Sequence, residues 1–388
     1  MGTTSGTRSP PDLIPGVALI ASTRERPVGS DELFGFAVDK DGRLRAVDPV
    51  FARLSGFGPG DSVDAMRHPD VPLAVLRSPF GAEPGAAHLQ LVADDGSWFR
   101  ALVIAAPVPD GWVAAGFKPG LPEPEAGREL RAAELAGEDV EAPLAAYATA
   151  MRAAVVAEVA ARDPRANELL GAQARRLASY AGLSEGLRRK SEFVVELAES
   201  IRLFSLNAIL AAHRVRDAAA IGAVAELMKT RSDAAGPDIL ALAGEIEAAA
   251  AVLEAASFRV AVGRLQAEAL ATAPWLAEAL AVTLEDVADT TVALDTALDA
   301  LAARSYAVEE HLKTLRFLEL QGRIEAARSS DTEHVRGLFE EIGVQVRKAG
   351  EELMAFSALA ARRDRDGGEV AREARRQASA LRISQSGG

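Results

Sequence analysis

The sequence predicts a chain of two parts, an α+β domain near the N-terminus followed by a mostly all-α region of long helices packed as a coiled coil or four-helix bundle. Three observations predict it. Short β runs separated by Asp-Gly turns are confined to the stretch between Leu33 and Lys118. Heptads of apolar residues run through much of the chain after Lys118. The residues are 49% apolar but only 5% aromatic, so the apolar content is mostly Ala, Leu and Val, which suits thin helix–helix seams better than one large globular core.

With 388 residues there is room for two or more cores. The net charge of −13, with basic residues interleaved among acids, argues against nucleic acid as a partner, because phosphate recognition needs clustered Lys and Arg. The chain has no Cys, which excludes a disulfide scaffold, a zinc ribbon and a thiol nucleophile and favours a reducing, cytoplasmic home. No apolar run reads as long enough to span a bilayer, and the first residues lack a signal-peptide core, so a soluble protein is expected.

Residues 1–29, rich in Ser, Thr, Pro and Gly, read as a mobile lead-in. The α+β domain is expected over 30–119. LFGFAV, the turn DKDG and RLRAV form one hairpin; HLQLV, the turn ADDG and WFRALVIAA form a second; GWVAAGF follows Pro109-Asp110-Gly111 as a fifth strand. Between the pairs, Pro49–Pro79 is broken by Gly and Pro into short helical pieces. About a hundred residues in this order can fold alone.

The order of two strands, small helices and three strands looks like a PAS sensor domain. Phe51-Ala-Arg-Leu-Ser-Gly-Phe57 and Met66-Arg-His-Pro-Asp-Val-Pro72 resemble the F..VSGY and VRHPDMP segments of aerotaxis-receptor PAS domains. That resemblance implies a flavin adenine dinucleotide site using Arg67, His68, Asp70 and, at the position of a family Trp, Phe80. Two family Asn positions are Asp48 and Leu91 here. Losing two amides and an indole removes hydrogen-bond donors and a stacking plane, and Asp48 would repel a pyrophosphate, so the domain is expected to lack stoichiometric flavin. The plainer reading of Arg67-His68-Pro69-Asp70 is a structural turn, in which Pro69 fixes φ, Asp70 caps a helix from Val71 and Arg67 pairs with an acid. A third is haem, with His68 or His88 as axial ligand.

Residues 120–125 read as a linker. A first helical segment is expected over 126–270, with a tip near 203–220, and a second hairpin over 274–362, with a tip near 317–334. A charged, partly disordered tail closes the chain over 363–388. The strong breakers are Asp163-Pro164, Ala235-Gly236-Pro237 and Ala273-Pro274. Leu280, Leu284, Val287, Thr291, Leu294, Leu298, Leu301, Ser305, Val308, Leu312 and Leu315 alternate steps of four and three. This period of 3.5 implies left-handed coiled-coil packing over a rod of roughly 50 Å. Seams of the same kind run from Phe193 to Ala211, from Leu242 to Val260 and from Val335 to Phe356. Thr291 and Ser305 fit a seam if their hydroxyls bond back to the preceding turn.

LFSLNAILAAHR, ending at Arg214, returns as FLELQGRIEAAR, ending at Arg328. Aligned without gaps, Leu206 falls on Leu320, Asn207 on Gln321, Leu210 on Ile324 and Ala212 on Ala326. Both copies resemble the cytoplasmic tip of bacterial chemoreceptors, the methyl-accepting chemotaxis proteins, where the chain doubles back. That resemblance implies contact with the chemotaxis histidine kinase and its coupling protein through Asn207, Arg214, Glu325, Arg328 and Phe339. The plain alternative for Glu325 and Arg328 is a solvated ion pair on one helix face. The glycine-rich return and the methylated Glu/Gln pairs of the family are not evident. Two hairpins in one chain could build the bundle that chemoreceptors build as dimers; the alternative is an extended set of helices that dimerises.

No P-loop, dinucleotide-binding turn, HExxH or nucleophile elbow occurs, and the His residues at 68, 88, 213, 311 and 334 lack metal spacing. The expected function is therefore a non-enzymatic cytoplasmic sensor, with a docking scaffold as the alternative.

Overall fold

The computed structural model describes residues 24–162, 167–212, 219–328, 333–361 and 367–386, without the side chains of 181–194 and of several positions between 197 and 212 and between 352 and 361. The chain divides into two compact units: 1–175, 257–288 and 370–388 form one, and 176–256 and 289–369 form the other.

The first unit holds strands β1 (Leu33–Asp39), β2 (Leu44–Val47), β3 (Gly85–Val92), β4 (Trp98–Val108) and β5 (Gly111–Phe117). They form one antiparallel sheet in the order β2-β1-β5-β4-β3. The short helices α1 (Pro49–Ser55) and α2 (Leu73–Arg77) lie between β2 and β3 in the chain. The turns form where Asp-Gly pairs allow them. Gly111 has φ +142° and sits so close to β1 that a Cβ would fall 2.0 Å from the Val38 carbonyl oxygen, so no other residue fits there.

Period-two alternation gives the sheet two different faces. Phe34 and Phe36 pack on Phe51 of α1, with ring centroids 5.6 and 4.6 Å away, and Phe99 stands edge-on to Phe34 at 6.1 Å. On the other face the cross-strand partners Ala37, Val113 and Ala106 form a small-residue row. Those small side chains let Ala269, Ala273, Leu276 and Ala279 approach. Trp275 lies so near β1 that a Cβ on Gly35 would be 3.3 Å from its ring.

The helices of this unit are α3 (Glu125–Ala136), α4 (Glu141–Arg162), the start of α5 (Glu168–Ala212), the end of α6 (Ala219–Ala269), the start of α7 (Ala277–Arg328) and most of α9 (Gly367–Ser386). The sheet core continues into Leu130 of α3, into Tyr147, Met151, Val155 and Val159 of α4, and into Phe258, Ala261, Val262 and Leu265 of α6. The sheet therefore does not stand by itself, as its size alone suggested; both of its faces are covered. The Tyr147 hydroxyl accepts the His88 N–H at 3.0 Å and so occupies part of the free edge of β3. Helix α4 has the length and mean hydropathy (1.4) of a membrane-crossing helix, a feature missed in the sequence. Its apolar stripe is nevertheless buried in this core.

Two further segments differ from the sequence reading. Residues from Arg24 to Val28 are ordered against the sheet: the Arg26 N–H donates to the Trp98 carbonyl at 2.7 Å, and Val28 is buried. The C-terminal tail is the helix α9, whose Ala371, Ala374 and Ala378 are buried at helical spacing. Arg382 forms a forked pair with Glu285 at 2.5 and 2.7 Å, and Gln377 meets Asn167 at 3.0 Å. Alternating charge had concealed this alanine stripe.

In the second unit, one core joins Ile221, Met228, Ile239, Leu242 and Ile246 of α6 with Leu301, Val308, Leu312 and Leu315 of α7 and with Val335, Phe339, Ile342 and Val346 of α8 (Glu333–Ala361). Along α7 all eleven seam residues from Leu280 to Leu315 are buried. The seam from Leu242 to Val260 is buried as well, whereas the Phe193–Ala211 seam lies outside the described side chains. Phe339 sits against Gly322, and Glu319 against Gly343, so α8 returns antiparallel to α7. Arg202 of α5 lies 3.5 Å from Asp233 of α6, which makes those helices a hairpin too.

Helix α6 continues through Pro237, against the expected break. A mid-helix proline costs about 3 kcal/mol. The seam residues Ala235, Ile239, Leu242 and Ile246 offset it by burial, and Asp238 ties the next turn to α7 through Arg304 at 3.1 Å and His311 at 2.9 Å. Ser305 also departs from expectation: it is fully buried in the seam, but its hydroxyl has no hydrogen-bond partner.

Candidate functional site

The side of the sheet that faces α1 holds the residues expected to bind a cofactor. Asp48 is 1% exposed, and both of its oxygens are engaged. Oδ1 accepts the Phe51 N–H at 2.7 Å, capping α1, and Oδ2 accepts the Gly35 N–H at 2.8 Å, fixing β1. Burial pushes its pKa up, against the pull of those backbone donors. Arg67 bridges Leu91 through the backbone. His68 turns back on its own loop, where its Nδ1 accepts the Asp70 N–H at 3.2 Å and its ring meets Trp98 edge-on at 5.7 Å.

Asp70 does not cap α2. That helix begins at Leu73 with Pro72 in the cap position, and its first free N–H groups, on Leu73 and Ala74, are accepted by Glu134 of α3 at 3.0 and 3.3 Å. Asp70 is exposed, 3.7 Å from His68. Phe80 goes elsewhere, its ring standing edge-on to Trp112 at 6.2 Å.

Arg67, His68 and Asp70 thus share one turn that Phe80 does not join. The space between α1 and the sheet is filled by Phe34, Phe36, Phe51 and Phe99, each no more than 1% exposed. These residues do not fit a flavin: both Asp48 oxygens are taken by backbone donors, and aromatic rings occupy the interior. Among the described residues no group of three His, Asp or Glu is placed to hold a metal ion.

A cavity of about 570 Å³ opens beside β3 and β4. Directly paired residues project to the same side. Leu91 and Leu89 therefore share the Phe99 face, whereas His88, Gln90 and Arg100 project from the opposite one. Over them pass the N-terminal segment, with Glu25 and Arg26, and the connection from Lys118 to Glu123, while Arg131 of α3 completes the wall.

The connection is held from α4, where the buried Glu158 accepts the Gly120 and Leu121 N–H groups at 2.8 and 2.5 Å. Arg26 is held by Asp95 at 2.8 Å and by the Leu54 carbonyl at 2.7 Å. Arg131 pairs with Glu123. Burial first, and then the Arg131 charge, push the His88 pKa down to about 4, so its ring is neutral near pH 7. His88 Nε2 and Glu123 Oε1 are both buried without a hydrogen-bond partner within the protein.

Known protein families and curated proteins offer no match to this chain.

At the expected tips, Asn207 and Gln321 are exposed. Glu325 and Arg328 form an i,i+3 pair at 3.0 Å, with Arg328 largely in solvent. Arg214 lies outside the described residues. Phe339, expected on the partner surface, is fully buried. It fills the notch left by Gly322, where a Cβ would stand 2.3 Å from its ring. What the tip resemblance did not supply is an apolar stripe: Phe317, Leu320 and Ile324 on α7 are 45–65% exposed, as are Leu203 and Leu210 on α5. Their signal was in the repeat itself, since Leu203 aligns with Phe317 and Leu210 with Ile324. The cavity gave no such signal, because its walls come from segments far apart in sequence.

Proposed function

We propose that the chain is a sensory signal-transduction protein of chemotaxis or aerotaxis type. A PAS-like sheet domain receives the signal, and chemoreceptor-like helical hairpins pass it to partner proteins, a histidine kinase and its coupling protein. The observation that carries this reading is the apolar stripe at corresponding positions of both tips, which stands out on α7 because that helix's other described large apolar residues are mostly buried. Exposed leucines and a phenylalanine in register on a helix face have the chemistry of a docking surface. The element order of two strands, short helices and three strands supports the PAS-like part.

Coupling between the parts follows from helices that contribute residues to both units. Their seams contain small or imperfectly satisfied positions such as Ser305, which lower the cost of moving between two packings. On this reading the protein carries no chemistry of its own, and it works in the cytoplasm. A reconstituted kinase assay tests it. The chain should change the activity of a chemotaxis kinase bound to its coupling protein, and Leu320→Asp with Ile324→Asp should abolish that change while leaving the helices folded. Full activity of the double variant would sink the reading.

The aromatic filling of the sheet interior favours one alternative, a docking scaffold without sensing. A scaffold would bind the same partners but leave their activity unchanged.

A further inference from the structure

We infer that the cavity beside β3 and β4 binds a small organic anion that also carries a hydrogen-bond donor, that is, a hydroxy- or aminocarboxylate. The charge of its walls points to the anion. Arg26, Arg100, Lys118 and Arg131 face only Glu25 and Glu123, so the cavity is locally basic in a chain of net charge −13. A ligand would not find these cations equally free. Arg26 is engaged by Asp95 and backbone carbonyls, and Arg131 by Glu123. Arg100 has only a long contact to Glu25 at 3.9 Å and lies over Trp98. Lys118 is exposed and makes no ion pair among the described residues. Lys118 and Arg100 are the groups left to hold a carboxylate.

The inner wall adds one polar group. His88 Nε2, buried and without a partner within the protein, accepts from an O–H or N–H donor when its Nδ1 carries the proton. A hydroxyl or ammonium group beside a carboxylate would meet that need. The cavity volume is in the range of small-molecule sites. Its polar strand residues, His88, Gln90 and Arg100, project from the side of the sheet opposite Phe99, away from the phenylalanine-filled interior where a flavin was expected. Binding there does not depend on what the helices signal.

The test is calorimetric titration of the full chain with L-malate, L-aspartate and inorganic phosphate. At least one of the two carboxylates should bind one per chain, and more tightly than phosphate. Lys118→Ala should weaken that binding about tenfold or more, the usual loss for a charge-assisted contact, and His88→Phe should weaken it too. Lys313→Ala, at an exposed lysine of the second unit, should leave it unchanged. The inference is overturned if neither carboxylate binds below about 10 mM, a free energy under roughly 3 kcal/mol. It is also overturned if phosphate binds as tightly, or if either Lys118→Ala or His88→Phe titrates like the parent chain.

Discussion

Replacing Asp48 by Ala should destabilise the first unit by about 2–3 kcal/mol. Losing the cap of α1 costs about 1 kcal/mol, and leaving the buried Gly35 N–H without an acceptor costs about 1–3 kcal/mol more. Part of that is offset, because burial disfavours the Asp48 charge and the substitution removes it. Asp48→Asn should cost less, since the amide oxygen can still serve one of the two donors. All three Trp residues, at 98, 112 and 275, lie in the first unit. Tryptophan fluorescence during urea unfolding therefore reports on this unit specifically.

The two variants also differ in how they respond to pH. The folded-state pKa of Asp48 is raised above the ordinary aspartate value of 3.8, so this group favours the fold most below the unfolded pKa. That contribution is lost as pH rises through the higher folded value. Asp48→Asn cannot titrate, so its deficit relative to the parent should be largest in acid and shrink toward neutral pH. A loss below about 0.5 kcal/mol for Asp48→Ala, within the range of an ordinary surface change, or an asparagine deficit that grows with pH, would refute the assignment of Asp48 as cap and strand clamp.

The purified chain should carry no stoichiometric flavin, and absorbance near one equivalent would show that the phenylalanine-filled interior opens to admit it. Ser305→Ala should raise stability by up to about 1 kcal/mol, because it removes a buried hydroxyl without a partner. Leu298→Asp in the same seam should cost several kcal/mol; a lower melting point for Ser305→Ala together with no loss for Leu298→Asp would show that this face of α7 is not in the core. Arg328→Ala should change stability by less than about 1 kcal/mol, as an exposed pair does, and a larger melting loss would give that pair a structural role. Spin labels on Asn207→Cys and Gln321→Cys, introduced into a chain with no Cys of its own, should lie two to three helix diameters apart, each about 10 Å. Separation by the length of a rod would rule out the two hairpins sharing one end.

What was legible in the sequence is what local chemistry decides. Asp-Gly pairs located the hairpins, and an unbroken heptad identified every buried seam residue of α7 from Leu280 to Leu315. What was not legible depended on partners distant in the chain. Pro237 reads as a break until Asp238 is seen held by Arg304 and His311. Asp70 reads as a cap until Glu134, from another helix, takes the role. Phe339 reads as a surface anchor until Gly322 provides the notch beneath it. The cavity is the extreme case, with Arg26, His88, Arg100, Lys118, Glu123 and Arg131 each ordinary among their neighbours in sequence.

The order in which the chain is made bears on the small-residue row of Ala37, Ala106 and Val113. Its cover, Ala269 to Ala279, is encoded about 150 residues after β5. At roughly 5–20 residues per second of synthesis, the complete sheet waits about 10–30 s with that face bare. Alanine and valine suit such a wait, since they offer far less sticky area to passing chains than the phenylalanines on the opposite face, which α1 can cover as soon as the sheet forms. The stretch 370–388 of this unit is made only after all of 176–369, so a nascent chain stalled before it holds an unfinished first unit.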